Sequence, residues 1–137
     1  MPNVTGVLET SLYVADVNRA ARFYRQVFGF QQMFADDRLC ALAVADKQVL
    51  LLFQRGASTE PIPLAGGVLP PHDGQGQYHV AFACTAPELP KWEAQLAAHE
   101  VPIESRIHWE RGGTSLYFRD PDENLVELAT PGIWPIY

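Results

Sequence analysis

The stretch GVLETSLYVADVNRAARFYRQVFGF, residues 6–30, changes period partway along its length. Gly6 to Ala15 alternates as a strand does and stops at Asp16. From there Val17, Ala20, Ala21, Tyr24, Val27 and Phe28 fall on one stripe at helical spacing, with Arg19, Arg22 and Gln26 opposite. Asp16 or Asn18 suits the cap of that helix, and Gly29 sits where a left-handed residue would close it. Three short strands follow near 30–36, 39–45 and 48–54, with turns at Asp36-Asp37 and Asp46-Lys47.

The same order then returns. Gln77 to Thr85 reads as a strand, and Pro90 suits the first turn of a helix whose Trp92 and Leu96 point inward. Strands follow at about 103–110, 113–120 and 124–130, the last two joined by the turn Asp120-Pro121-Asp122-Glu123. Glu9 and His79 open the two halves, 79 − 9 = 70 residues apart. Between the halves lies RGASTEPIPLAGGVLPPHDGQG, residues 55–76, crowded with Pro and Gly and without periodicity. Its shortness and its Ile62, Leu64, Val68 and Leu69 predict an ordered connecting loop.

Strand, helix, strand, strand, strand, twice over, excludes an alternating parallel α/β sheet and predicts an α+β fold. One half has too little apolar surface on both sides of its helix to stand alone. Paired, the two βαβββ modules predict a single domain over residues 1–137, with a cup-shaped eight-stranded mixed sheet and helices outside. Module 1 spans about 6–54 and module 2 about 77–132.

The bulk composition fits this. The chain has 137 residues, 47% hydrophobic and 19% charged, as one ordinary globular domain would. A net charge of −6 with scattered basic residues argues against a nucleic-acid or anionic-membrane partner. No apolar stretch approaches the ~20 residues needed to span a bilayer, and MPNVTGV lacks signal-peptide features, so a cytoplasmic location is expected. Cys40 and Cys84 sit in the apolar runs LCALAVA and VAFACTA and are expected as buried free thiols.

Strand parity selects the candidate site. Glu9, Ser11 and Tyr13 share one face of the first strand; His79, Ala81 and Ala83 share one face of the fifth; Leu125, Glu127 and Ala129 share one face of the last. The opposite faces are more apolar and suit packing under helices. Burying an unpaired charge is costly, so two carboxylates and an imidazole lining a cup pair, titrate or ligate a metal. One His with two carboxylates suits a single divalent ion such as Mn, Fe, Ni, Zn or Mg, with positions open to substrate and water.

Three stretches carry a resemblance: LETSLYVADVNRAARFYRQVFGF at 8–30, YHVAFA at 78–83 and GGTSLYFRDPDENLVELATPG at 112–132. They resemble the vicinal oxygen chelate superfamily of glyoxalase I, extradiol dioxygenases, fosfomycin-resistance and bleomycin-binding proteins, with Y-F-x-D-P-x-x-N-x-x-E-L the most specific pattern. The resemblance implies metal ligands at Glu9, His79 and Glu127, although the family usually has His or Gln at the first. Aligning LLFQRG with ELATPG puts Leu51 at the place of glyoxalase I's fourth ligand, where it cannot coordinate. Glu100 and Glu123 stand where the family commonly has Gly, which predicts turns that tolerate or avoid positive φ.

Tyr117 lies ten residues before Glu127, a spacing that resembles that of a tyrosine behind the metal ligands in extradiol dioxygenases; it would donate a hydrogen bond to a metal-bound oxygen, set against a sheet aromatic that packs on its neighbours. His72 lies on the connecting loop, and such loops often cover sites; it is a candidate acid, base or substrate anchor, set against a plain surface histidine. Function then divides three ways. A metal-dependent enzyme would act on a small oxygen-chelating substrate by lyase, isomerase or dioxygenase chemistry, with Glu9 as ligand or general base. A metal-free protein of bleomycin-resistance type would sequester a small molecule. A purely structural reading makes the three residues a hydrogen-bonded cluster. Relatives of this size commonly pair as homodimers, and the terminal GIWPIY is expected to cover a dimer seam or one end of the cup.

Overall fold

A computed structural model describes all 137 residues. The chain divides at Gly76 into two units, Met1–Gly76 and Gln77–Tyr137. In unit 1, β1 (Glu9–Val14) leads into α1 (Val17–Phe28), then β2 (Gln31–Ala35), β3 (Leu39–Val44) and β4 (Gln48–Gln54). The helix starts where the sequence says it should. The Asp16 carboxylate accepts the backbone N–H groups of Asn18 and Arg19 at 3.0 and 3.1 Å, the usual use of an acidic cap. Gly29, at φ 71°, ends it by donating to the Arg25 carbonyl.

Because α1 carries the chain across before the remaining strands return, β1 pairs with β4 in parallel, and the sheet order is β1-β4-β3-β2. One face holds Leu12, Val14, Cys40, Leu42, Leu50 and Leu52, all nearly inaccessible, together with the buried stripe of α1. Each such Leu contributes about 1.5–3 kcal/mol by leaving water. On the other face Leu39, Ala41 and Phe53 form a second cluster with Tyr13, Val49 and Leu51.

Residues 55–76 are ordered but not merely a loop. They contain a hairpin of β5 (Ile62–Leu64) and β6 (Gly67–Leu69), with Ile62 opposite Leu69. Three-residue strands are too short to show alternation, which is why periodicity missed them.

Unit 2 repeats the plan. It runs β7 (His79–Ala83), a short 3-10 turn at Ala86–Glu88, α2 (Leu89–Ala98), β8 (Ser105–His108), β9 (Thr114–Arg119) and β10 (Leu125–Ala129). Pro90 lies in the first turn of α2, Leu96 is fully buried and Trp92 half-buried. The sheet order is β7-β10-β9-β8, with β7 and β10 parallel. The eight strands of the repeat thus form two mixed sheets of four, each with its helix, and the sheets are not closed into a barrel. Glu100 and Glu123 keep left-handed backbone, at φ 56° and 64°, so these turns tolerate positive φ and do not avoid it. No helix is long and apolar enough to cross a membrane.

Candidate functional site

The turn before β10 explains the D-P-x-x-N motif. Asp120 Oδ1 accepts the N–H groups of Asp122 and Asn124, both at 2.9 Å, and its Oδ2 accepts from Asn124 Nδ2 at 2.9 Å. Asn124 Oδ1 in turn accepts the Tyr78 N–H at 2.9 Å. One buried amide therefore fastens the start of β7 to the start of β10, and His79 is the next residue along.

That clamp sets the register. Leu125 pairs with His79 and Glu127 with Ala81, so the His79 and Glu127 side chains leave neighbouring strands on the same face. His79 Nε2 lies 3.2 Å from Glu127 Oε1, the imidazole half exposed and the carboxylate almost buried. His79 Nδ1 lies 2.9 Å from the Leu125 carbonyl oxygen. A carbonyl only accepts, so the Nδ1 proton is placed there and Nε2 is left to face the carboxylate. Two lone pairs that close repel unless a positive charge lies between them, either a proton on Nε2 or a metal ion.

Tyr117, on β9, sits directly opposite Glu127. Burial, followed by the neighbouring Glu127 carboxylate, raises its phenol above the ordinary range, against a lowering contact with Ser115. The hydroxyl therefore stays protonated and able to donate at neutral pH. Ser115, fully buried one pleat away, donates to Glu127 Oε2 at 2.6 Å, and Trp109 Nε1–H donates to the Ser115 hydroxyl at 2.8 Å.

A cavity of 480 Å³ opens over this group. Its floor is the methyl groups of Ala81, Ala83 and Ala129; Trp109, Ile133, Trp134 and Tyr137 also line it. The lining contains no Arg or Lys. The C-terminal residues are fixed there by Tyr137, whose hydroxyl donates to the Ala129 carbonyl at 2.7 Å. At the turn before β9, Gly113 and Gly132 approach so closely that a Cβ on either would clash with the other's backbone. GIWPIY therefore walls the unit 2 cavity.

The remaining candidates lie in unit 1. Glu9 opens β1 opposite Val49 and is exposed. His72 is half-buried on the connecting segment, shares a 2.8 Å hydrogen bond with the Tyr13 hydroxyl and packs edge-on against Phe53. Neither unit by itself gathers three His, Cys, Asp or Glu side chains around one point. Of the sequence candidates, the fold brings His79, Glu127 and Tyr117 together. Sequence reasoning missed Ser115 and Trp109. Ser115 shares the strand face of Tyr117, two residues away, and that parity is the one signal that pointed toward it.

Comparison with known proteins is consistent with this geometry. Residues 6–128 match the model of the Glyoxalase/Bleomycin resistance protein/Dioxygenase superfamily. The chain is 32% identical over 120 residues to catechol-2,3-dioxygenase of Bacillus subtilis, using 85% of this chain but only 38% of that longer protein. It is 23% identical over 129 residues to metallothiol transferase FosB of Shouchella clausii, across 93% of this chain and 81% of the relative. The crystal structure of lactoylglutathione lyase from Agrobacterium tumefaciens superposes with a TM-score of 0.88 at 31% identity, covering 98% of this chain and 99% of the other. The chain belongs to the glyoxalase/bleomycin resistance protein/dioxygenase superfamily.

Proposed function

We propose that the protein is a divalent-metal-dependent enzyme acting on a small substrate that presents neighbouring oxygens, by lyase, isomerase or dioxygenase chemistry. The carrying observation is the facing pair His79 Nε2 and Glu127 Oε1, 3.2 Å apart, a spacing that supports a metal ion between them as the alternative to a proton. An imidazole nitrogen with a carboxylate oxygen is a fitting donor set for Mn, Fe, Ni, Zn or Mg. Glu9 is the third ligand that the repeat and the family resemblance imply. When bound, the ion would polarise substrate oxygens and lower their pKa.

The chain's own residues supply the rest. Tyr117, opposite Glu127 on β9 and lining the cavity, is the candidate hydrogen-bond donor to a substrate oxygen. The alanine floor and aromatic walls receive a flat or apolar body, and a lining without Arg or Lys favours an uncharged substrate over a phosphonate or polycarboxylate. His72, bonded to the Tyr13 hydroxyl, is the candidate acid, base or substrate anchor. A homodimer is part of the same proposal, and sedimentation tests it.

The test is metal analysis and melting of protein purified without a nickel column, with His79→Ala and Glu127→Gln alongside. About one ion per chain, with melting raised by added metal in the parent and not in the variants, is the expected result. No metal and no melting shift in the parent rejects the enzyme reading. It would leave the second one, a metal-free binder of bleomycin-resistance type, for which the aromatic cavity with one buried carboxylate is the supporting feature.

A further inference from the structure

We propose that Trp109 and Ser115 are positioning residues that fix which oxygen of Glu127 faces the cavity, an inference that rests on Glu127 being a metal ligand. The direction of the hydrogen-bond chain is set by chemistry. An indole N–H only donates, so the Ser115 oxygen accepts from Trp109 at 2.8 Å. The hydroxyl has one proton, which it donates to Glu127 Oε2, 2.6 Å away; Tyr117 lies against the same two side chains. That length is typical of a charge-assisted bond to a carboxylate. Ser115 is fully inaccessible, so water does not compete for the proton.

With Oε2 held from behind, Oε1 is the oxygen left facing His79 Nε2. The origin of the chain is itself fixed by backbone. Trp109 follows β8 in a tight turn where its N–H donates to the Gly113 carbonyl at 2.8 Å and its carbonyl accepts from Gly112 at 2.9 Å. The indole is therefore aimed by the turn, independently of any ion. Partners behind a ligating carboxylate commonly tune metal affinity about 10–100-fold.

The experiment is titration of the full chain with Mn²⁺, following free ion by its paramagnetic resonance signal, for the parent, Ser115→Ala, Trp109→Phe and Glu127→Gln. Melting of each metal-free protein checks the fold. Trp109→Phe keeps an aromatic wall and the Ser115 hydroxyl while removing only the donor, so it remains informative if Ser115→Ala does not fold. Ser115→Ala is expected to weaken Mn²⁺ binding about 10–100-fold and Trp109→Phe by a smaller factor, with the folded state retained. Parent-like affinity in the folded variants, with Glu127→Gln impaired, overturns the relay alone. A parent that does not bind Mn²⁺, or a Glu127→Gln that binds as well as the parent, overturns the ligand reading and the relay with it.

Discussion

Asn124 is the side chain whose loss should reach furthest through unit 2. It is fully buried, and its amide spans the Tyr78 N–H and Asp120 Oδ2, each at 2.9 Å. Asn124→Ala leaves a backbone donor and a carboxylate oxygen of the 3% exposed Asp120 without those partners. At about 1–3 kcal/mol for each hydrogen-bond partner lost, the loss is about 2–6 kcal/mol. That is a large part of the ~5–15 kcal/mol that holds a domain folded. The readout is favourable because Trp92, Trp109 and Trp134 all lie in unit 2 and unit 1 has no tryptophan. Fluorescence during urea unfolding thus follows unit 2, and its midpoint should fall on the order of 2 M. Asn124→Asp separates the hydrogen-bond argument from mere volume. It keeps the shape but sets a second carboxylate where an amide donated to Asp120. The buried pair holds a proton more tightly folded than unfolded, so the pair's folded pKa is raised. Stability is then full below the ordinary carboxylate pKa of about 4 and is lost as pH rises through the raised value. Asn124→Ala should lack that added pH dependence. A midpoint within experimental error of the parent for Asn124→Ala, or equal pH profiles for the two variants, refutes the clamp.

Glu123→Gly should stabilise unit 2 modestly, because φ 64° costs a side-chain-bearing residue about 1–2 kcal/mol while Gly adds roughly 0.5–1 kcal/mol of unfolded-state entropy. Its backbone bonds to Asp120 and Arg119 survive the change, and a lower melting temperature would contradict the strain. Cys40 and Cys84 should react slowly with a disulfide reagent near neutral pH, since burial, aided at Cys84 by Glu88, raises both thiols. Their contribution to stability is full below the ordinary thiol range and is lost as pH rises through the raised folded values; fast labelling of both in the folded protein at neutral pH would oppose this.

The fold was largely legible because its signals are local. The stripe from Val17 to Phe28, the acidic cap and the closing Gly29 define α1 without reference to anything distant, and alternation marks each longer strand. The β5–β6 hairpin was not legible, since three residues cannot establish a period. At the site, parity found His79 and Glu127, but the bond from Ser115 to Glu127 depends on cross-strand register. The pairing of Glu127 with Tyr117 and of Ala129 with Ser115 is what brings the hydroxyl to the carboxylate. Trp109 was harder still, because a turn and not a strand aims it.

The internal repeat supplies its own control for the site. In unit 1, Ser11 pairs with Leu51, Ala41 with Leu51 and Leu39 with Phe53. In unit 2, Ala81 pairs with Glu127, Tyr117 with Glu127 and Ser115 with Ala129. The matching register makes Leu51 the counterpart of Glu127, Ala41 of Tyr117 and Leu39 of Ser115. Unit 1 fills these places with an apolar cluster, and the same four-stranded plan forms. The architecture therefore does not require a carboxylate, a phenol or a hydroxyl there. A nearly buried carboxylate carries a desolvation cost that a leucine at the same position avoids. Unit 2 bears that cost at a position where the backbone is indifferent to it, and surrounds Glu127 with two hydroxyl groups and an imidazole. Packing gives no reason for that choice; the metal-binding role proposed for the His79–Glu127 pair does.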